Sequence, residues 1–86
     1  MEWSIVWTDQ AARDLSTLDP SIARRTARRL EQVADNPIHF IVRLVGSDEH
    51  KLRIGDYRLL AALDPEARTI VVQRVDHRSR VYERRR

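Results

Sequence analysis

HKLRIGDYRLLAAL, residues 50–63, is the stretch that decides how this chain folds. At its centre stands Gly55-Asp56, with glycine at the first central position of a two-residue loop, as a type II′ hairpin turn requires. With those two residues as the loop, Ile54 faces Tyr57, Arg53 faces Arg58 and Leu52 faces Leu59 across antiparallel strands. Alternation then places Leu52, Ile54, Tyr57, Leu59, Ala61 and Leu63 on one face, an apolar surface in need of a cover. Lys51, Arg53 and Arg58 fall on the other. Like charges directly opposite destabilise a hairpin, on a pair scale of roughly 0.2–1 kcal/mol. The Arg53–Arg58 pair therefore implies an anion over it, or guanidiniums splayed into solvent or toward Asp48, Glu49 or Asp56.

The cover comes from upstream. EWSIVW, residues 2–7, alternates with Trp3, Ile5 and Trp7 on one side and reads as an opening strand. Thr8 then offers an N-cap to a short amphipathic helix carrying Ala11, Leu15 and Leu18. Asp19-Pro20 starts a second helix, whose apolar stripe runs through Ala23, Ala27, Leu30 and Ala34 until Asn36-Pro37 ends it. So short a connection between them implies a helical hairpin. After Pro37 the period shortens from about 3.6 to 2, and strands are expected at 41–45, 49–54, 57–63 and 69–75. TIVVQRV at 69–75 is apolar on both faces, which suits an interior strand but leaves its facing open. The expectation is an α+β fold in a single domain, 1–86. An N-terminal strand and helical hairpin pack on one face of an antiparallel sheet, the other face is partly open and basic, and a short helix or tail closes the chain.

Charge is distributed unevenly. Residues 74–86 hold six basic and two acidic residues, while 1–73 hold ten and eleven, so the excess of the +3 chain sits at one end. That pattern fits a protein meeting a polyanion with one face. Lys51 is the single lysine beside fifteen arginines. GC-rich codon usage explains the ratio, yet a lysine kept under that bias also supplies an amine able to lose a proton. There is no cysteine, no N-terminal pattern of basic residues and an apolar run, and no long apolar segment. These point to a cytoplasmic chain with no membrane partner.

With the helical hairpin upstream, "HKLRIGDYRLLAAL" and "VDHRSRVYERR" (75–85) resemble the RelE/ParE superfamily of toxins from toxin–antitoxin systems. The resemblance spans nearly the whole chain and is most specific in "LRIGDYRLL" and "VDHRSRVY". It implies the fold just described and inhibition by a cognate antitoxin that wraps around the toxin, a hetero-oligomeric complex. The RelE branch implies a ribosome-dependent mRNA endonuclease acting in the ribosomal A site, with ribosome and mRNA as partners. A 2′-hydroxyl attacks the adjacent phosphate there, leaving a 2′,3′-cyclic phosphate and a 5′-hydroxyl.

By this resemblance Lys51 is base or charge stabiliser, Arg58 holds the scissile phosphate, Arg78 serves the leaving group or transition state, and Tyr82 stacks on a base and orients or activates the nucleophile. Two departures stand out: Glu49 occupies a position where some members have a second lysine, and the segment between Arg78 and Tyr82 is shorter by two residues than in some. ParE-type relatives share the fold, usually lack the complete set and act on DNA gyrase. The four residues together favour the nuclease.

The residue chemistry suits such a reaction, which needs in-line geometry, proton transfer and cations over the developing charge rather than a metal. Arg53 and Arg58 suit bidentate phosphate binding. Arginine is a poor acid, so Arg78 is assigned to charge stabilisation, and His77 and His50 stand as alternative proton donors. Tyr82 acts as a base only beside cations, and otherwise stacks on an unpaired base. Arg80, Arg84 and Arg85 are expected to grip RNA phosphates. Arg24, Arg25, Arg28 and Arg29 form the polar face of the second helix, a solubilising surface or a contact for RNA or antitoxin. Asp48-Glu49 lacks the further ligands of a hard-metal site, so neither metal nor small-molecule cofactor is expected.

Overall fold

The computed structural model describes residues 2–46 and 49–77. Strand β1 (Ser4–Trp7) leads into helix α1 (Asp9–Ser16), then α2 (Pro20–Val33), a single helical turn α3 (Pro37–Phe40), and strands β2 (Val42–Arg43), β3 (His50–Ile54), β4 (Tyr57–Asp64) and β5 (Thr69–His77). Among the described residues no helix is long and apolar enough to cross a membrane.

The caps read from sequence are those observed. Thr8 accepts from the Ala11 amide, and Asp19 accepts from the Ser21 amide with Pro20 in the first turn of α2. Pro37 does more than stop α2: it opens α3, because its fixed φ suits a first helical position. The expected strand at 41–45 shrinks accordingly to two residues.

Sheet order is β1-β5-β4-β3-β2. The β3–β4 hairpin has the register that its turn dictates, with Ile54 paired to Tyr57, Arg53 to Arg58 and Leu52 to Leu59. Gly55 has φ +60 while Asp56 is not in the left-handed region, the signature of a type II′ turn. β2 through β5 are antiparallel neighbours, but β1 joins β5 in parallel, Ser4 to Thr69 through Trp7 to Val72, so the sheet is mixed. β5 is interior, as its composition suggested.

A bulge explains the ambiguous facing of β5. Leu60 pairs with Arg74 but the next residue, Ala61, pairs with Val72, which leaves Gln73 as the extra residue. Ile70 and Val72 therefore reach the core in one phase and Val75 in the other. With Leu30, Val33, Leu52, Ile54, Leu59 and Ala61 they form the apolar cluster beneath the helices, against which Trp3, Ile5, Trp7, Leu18 and Leu63 pack. Leu60, fully buried, lies outside that cluster on the second face of the sheet.

Candidate phosphate-binding face

Beyond Val72, β5 has no β1 residue beside it, and α1 takes over that edge. The Asp14 carboxylate accepts from the Val75 amide at 3.0 Å and from Arg74 Nε at 2.8 Å, with Gln10 donating to its other oxygen at 2.8 Å. Burial pushes the Asp14 carboxyl up, but the Val75 amide, Arg74 and Gln10 together hold it below its ordinary value. This buried pair fixes the strand that runs on to Asp76 and His77, and it removes Arg74 from the cations offered to a ligand.

On the second face Lys51 and Arg58 are diagonal neighbours, because Lys51 pairs with Leu60, two residues along from Arg58. Such positions lie about 7–8 Å apart, so one phosphate is within reach of both long side chains. Both residues are half-buried. Among the described residues, the guanidinium of Arg58 makes only a long contact, 3.4 Å, to the Tyr57 carbonyl. Across the sheet from Arg58 stands Asp76, 5% exposed, one oxygen of which accepts from the His77 amide at 2.8 Å.

Three expected members are placed differently. Arg53 leans along its own turn, its Nε donating to the Gly55 carbonyl at 3.4 Å, and lines a cavity with α2 instead of closing over Arg58. His77 pairs with Tyr57 and meets its ring edge-to-face at 5.6 Å, so it belongs to the Tyr57 face. His50, in register with the buried Ala61, alternates with Leu52 and Ile54. Neither histidine therefore shares the face of Lys51 and Arg58, since adjacent strand residues point to opposite sides. Arg78, Arg80, Tyr82, Arg84 and Arg85 lie outside the described residues, as does the expected closing helix or tail.

Asp76 was missed by sequence reasoning, because counting from the hairpin into β5 requires the bulge. Asp14 had a visible signal: a carboxylate between Ala11 and Leu15 on the apolar side of α1.

Residues 5–82 match the model of the ParE toxin of type II toxin–antitoxin systems. The chain belongs to this family. Within the wider RelE/ParE superfamily, the toxin is 32% identical over 87 residues to Toxin RelG of Mycobacterium tuberculosis, across 98% of this chain and all of that one. It is 28% identical over 88 residues to the putative toxin RelE1 of Methanocaldococcus jannaschii, across 96% and 98%. Among solved structures, the RelBE2 toxin–antitoxin complex of M. tuberculosis contains a chain that superposes with a TM-score of 0.78 at 30% identity, covering 92% of this toxin and 94% of that chain.

Proposed function

We propose that this toxin is a metal-independent, ribosome-dependent mRNA endonuclease, held inactive in the cytoplasm by a cognate antitoxin. The observation that carries the reading is the diagonal pair Lys51 and Arg58 on the second face, beside the strand whose next residue in sequence is Arg78. The RelE and RelG names of its relatives support it, and the toxin–antitoxin complex among its structural neighbours supports the partner.

The chemistry follows from the groups. Arg58 presents a planar fork to the non-bridging oxygens of the scissile phosphate, and Lys51 adds a second cation or accepts the 2′-hydroxyl proton. As that oxygen bonds to phosphorus, the bond to the 5′ oxygen breaks and the departing oxygen takes up a proton from water, giving a cyclic phosphate and a free 5′-hydroxyl. Cations already in place over the phosphate stabilise the charge that builds up, without reorganisation during the step. Arg78 and Tyr82 complete the set in this proposal, as a further cation at the departing oxygen and as a stacking platform. Arg80, Arg84 and Arg85 add sequence-independent RNA affinity.

Purified toxin added to programmed ribosomes, with cut ends mapped by primer extension, tests the reading. Codon-phased cuts are expected, and their loss in Arg58→Ala or in Arg78→Ala with Tyr82→Phe. Absence of phased cuts with wild type, or undiminished cutting by these variants, refutes it. The match to the ParE family leaves a second reading to be tested, inhibition of DNA gyrase without catalysis. A supercoiling assay decides that one: unchanged gyrase activity at saturating toxin removes it.

A further inference from the structure

The polar stripe of α2 builds a second anion site. Arg25, Arg28, Arg29 and Gln32 recur at i, i+3, i+4 and i+7, which puts them on one face of the helix. That face looks onto the tip of the β3–β4 hairpin, where Arg53, Ile54 and Gly55 close a cavity of about 250 Å³. Among the described residues, four guanidinium side chains line it and no carboxylate does. None of the four forms an ion pair among the described residues.

Three of these arginines contact the walls. Arg29 lies over the Phe40 ring, 5.3 Å from its centroid, and Phe40 in turn meets His39 edge-to-face. Arg53 donates to the Gly55 carbonyl. Arg25 packs so close to the turn that a Cβ added at Gly55 would sit 3.2 Å from its guanidinium nitrogen. Gathering four like charges costs energy that no acidic group among the described lining residues offsets, so the arrangement suits an anion supplied from outside. Planar forks match phosphate oxygens in particular. A docked protein helix would need apolar anchors, and the described lining of the cavity offers one apolar side chain, Ile54, which is 5% exposed.

We infer that this cavity binds a backbone phosphate of a structured RNA, at a docking point separate from the Lys51–Arg58 face. The inference rests on the reading of the toxin as one that acts on RNA. Its test is fluorescence anisotropy of a labelled RNA hairpin titrated with toxin over a salt series. Three proteins are compared: wild type, Arg25→Gln with Arg28→Gln, and Arg25→Lys with Arg28→Lys. Each lost phosphate contact lowers the slope of log affinity against log salt by about 1, so the glutamine pair is expected to lose about 2 and the lysine pair to regain most of it.

All three proteins are checked for equal melting temperature, since Arg25 and Arg28 are exposed. An unchanged slope in the glutamine pair overturns the inference and leaves a solvated helix face. So does unchanged RNA binding accompanied by weaker capture of an acidic helical peptide, which assigns the cavity to a protein partner. Wild type that fails to bind the hairpin at all overturns the RNA reading itself, a result separable from the other two.

Discussion

On one face of the β3–β4 hairpin, Leu52, Leu59 and Ala61 are at most 2% exposed; one residue along on each strand, Lys51 and Arg58 are half-buried on the other face and Arg53 is exposed. Both faces arise from the same turn, because a period of two sends neighbours to opposite sides. The difference teaches that the packed core and the proposed phosphate-binding face are separated here by a single step along a strand. Substitutions on the first face should change unfolding, and those at Lys51 and Arg58 on the second should change activity with little effect on the melting temperature.

The most damaging way to probe the first face is Leu59→Ala. Removing a fully buried leucine costs about 2–5 kcal/mol, and in a domain of this size each kcal/mol shifts Tm by about 4–8 °C. Thermal unfolding followed by circular dichroism reads this directly. A shift of only a degree or two means that the helices do not close on this face as described.

Arg58→Ala probes the second face. Cleavage of ribosome-bound message should fall by about 100-fold or more, comparable to the loss of one group that stabilises transition-state charge. Its Tm should stay within a few degrees of wild type. A large drop in Tm alongside lost cleavage breaks the separation, because Arg58 would then be structural as well.

The reason that these two faces were legible in sequence is local: Gly55-Asp56 sets the register, and alternation does the rest. Legibility ends where a pairing depends on something remote. The parallel placement of β1 leaves no mark within EWSIVW, because an alternating strand looks the same whichever way its neighbour runs. The bulge opposite Leu60 and Ala61 shifts the phase of β5, so that His77, counted without it, falls on the wrong side. Pro37 was read for the helix it ends and not for the turn it begins. Arg53 leaves its expected place for a reason also outside the hairpin, since the cavity it lines is completed by α2.

Asp14 ties the two regions together, and its substitution should have an intermediate effect. Asp14→Ala leaves the Val75 amide and the Arg74 guanidinium without their acceptor, a loss of about 1–3 kcal/mol for a buried hydrogen-bonding group. The acid limb carries a sign. A carboxyl held below its ordinary value contributes stability that is fully present above its unfolded pKa, 3.8, and is lost as pH falls through the lower folded value. Asp14→Asn should therefore be less stable than wild type at neutral pH and should lose less stability below pH 3.8. Parallel denaturation curves for the two proteins from pH 6 to pH 2 contradict the assignment.

The smallest effect is expected at His77. Its ring meets Tyr57 edge-to-face, and cross-strand pairing puts it on the side of the sheet away from Lys51 and Arg58. An imidazole there is poorly placed to pass a proton to an oxygen held on the second face. His77→Gln should accordingly leave single-turnover cleavage within about threefold, below the roughly 10²–10⁴-fold contribution typical of a general acid or base. The pH dependence of the rate separates the cases further. If His77 supplies the proton, the glutamine variant loses a bend that the wild-type profile has, whatever its absolute rate. Retention of the same bend in the variant assigns it to another group and keeps the two faces chemically distinct.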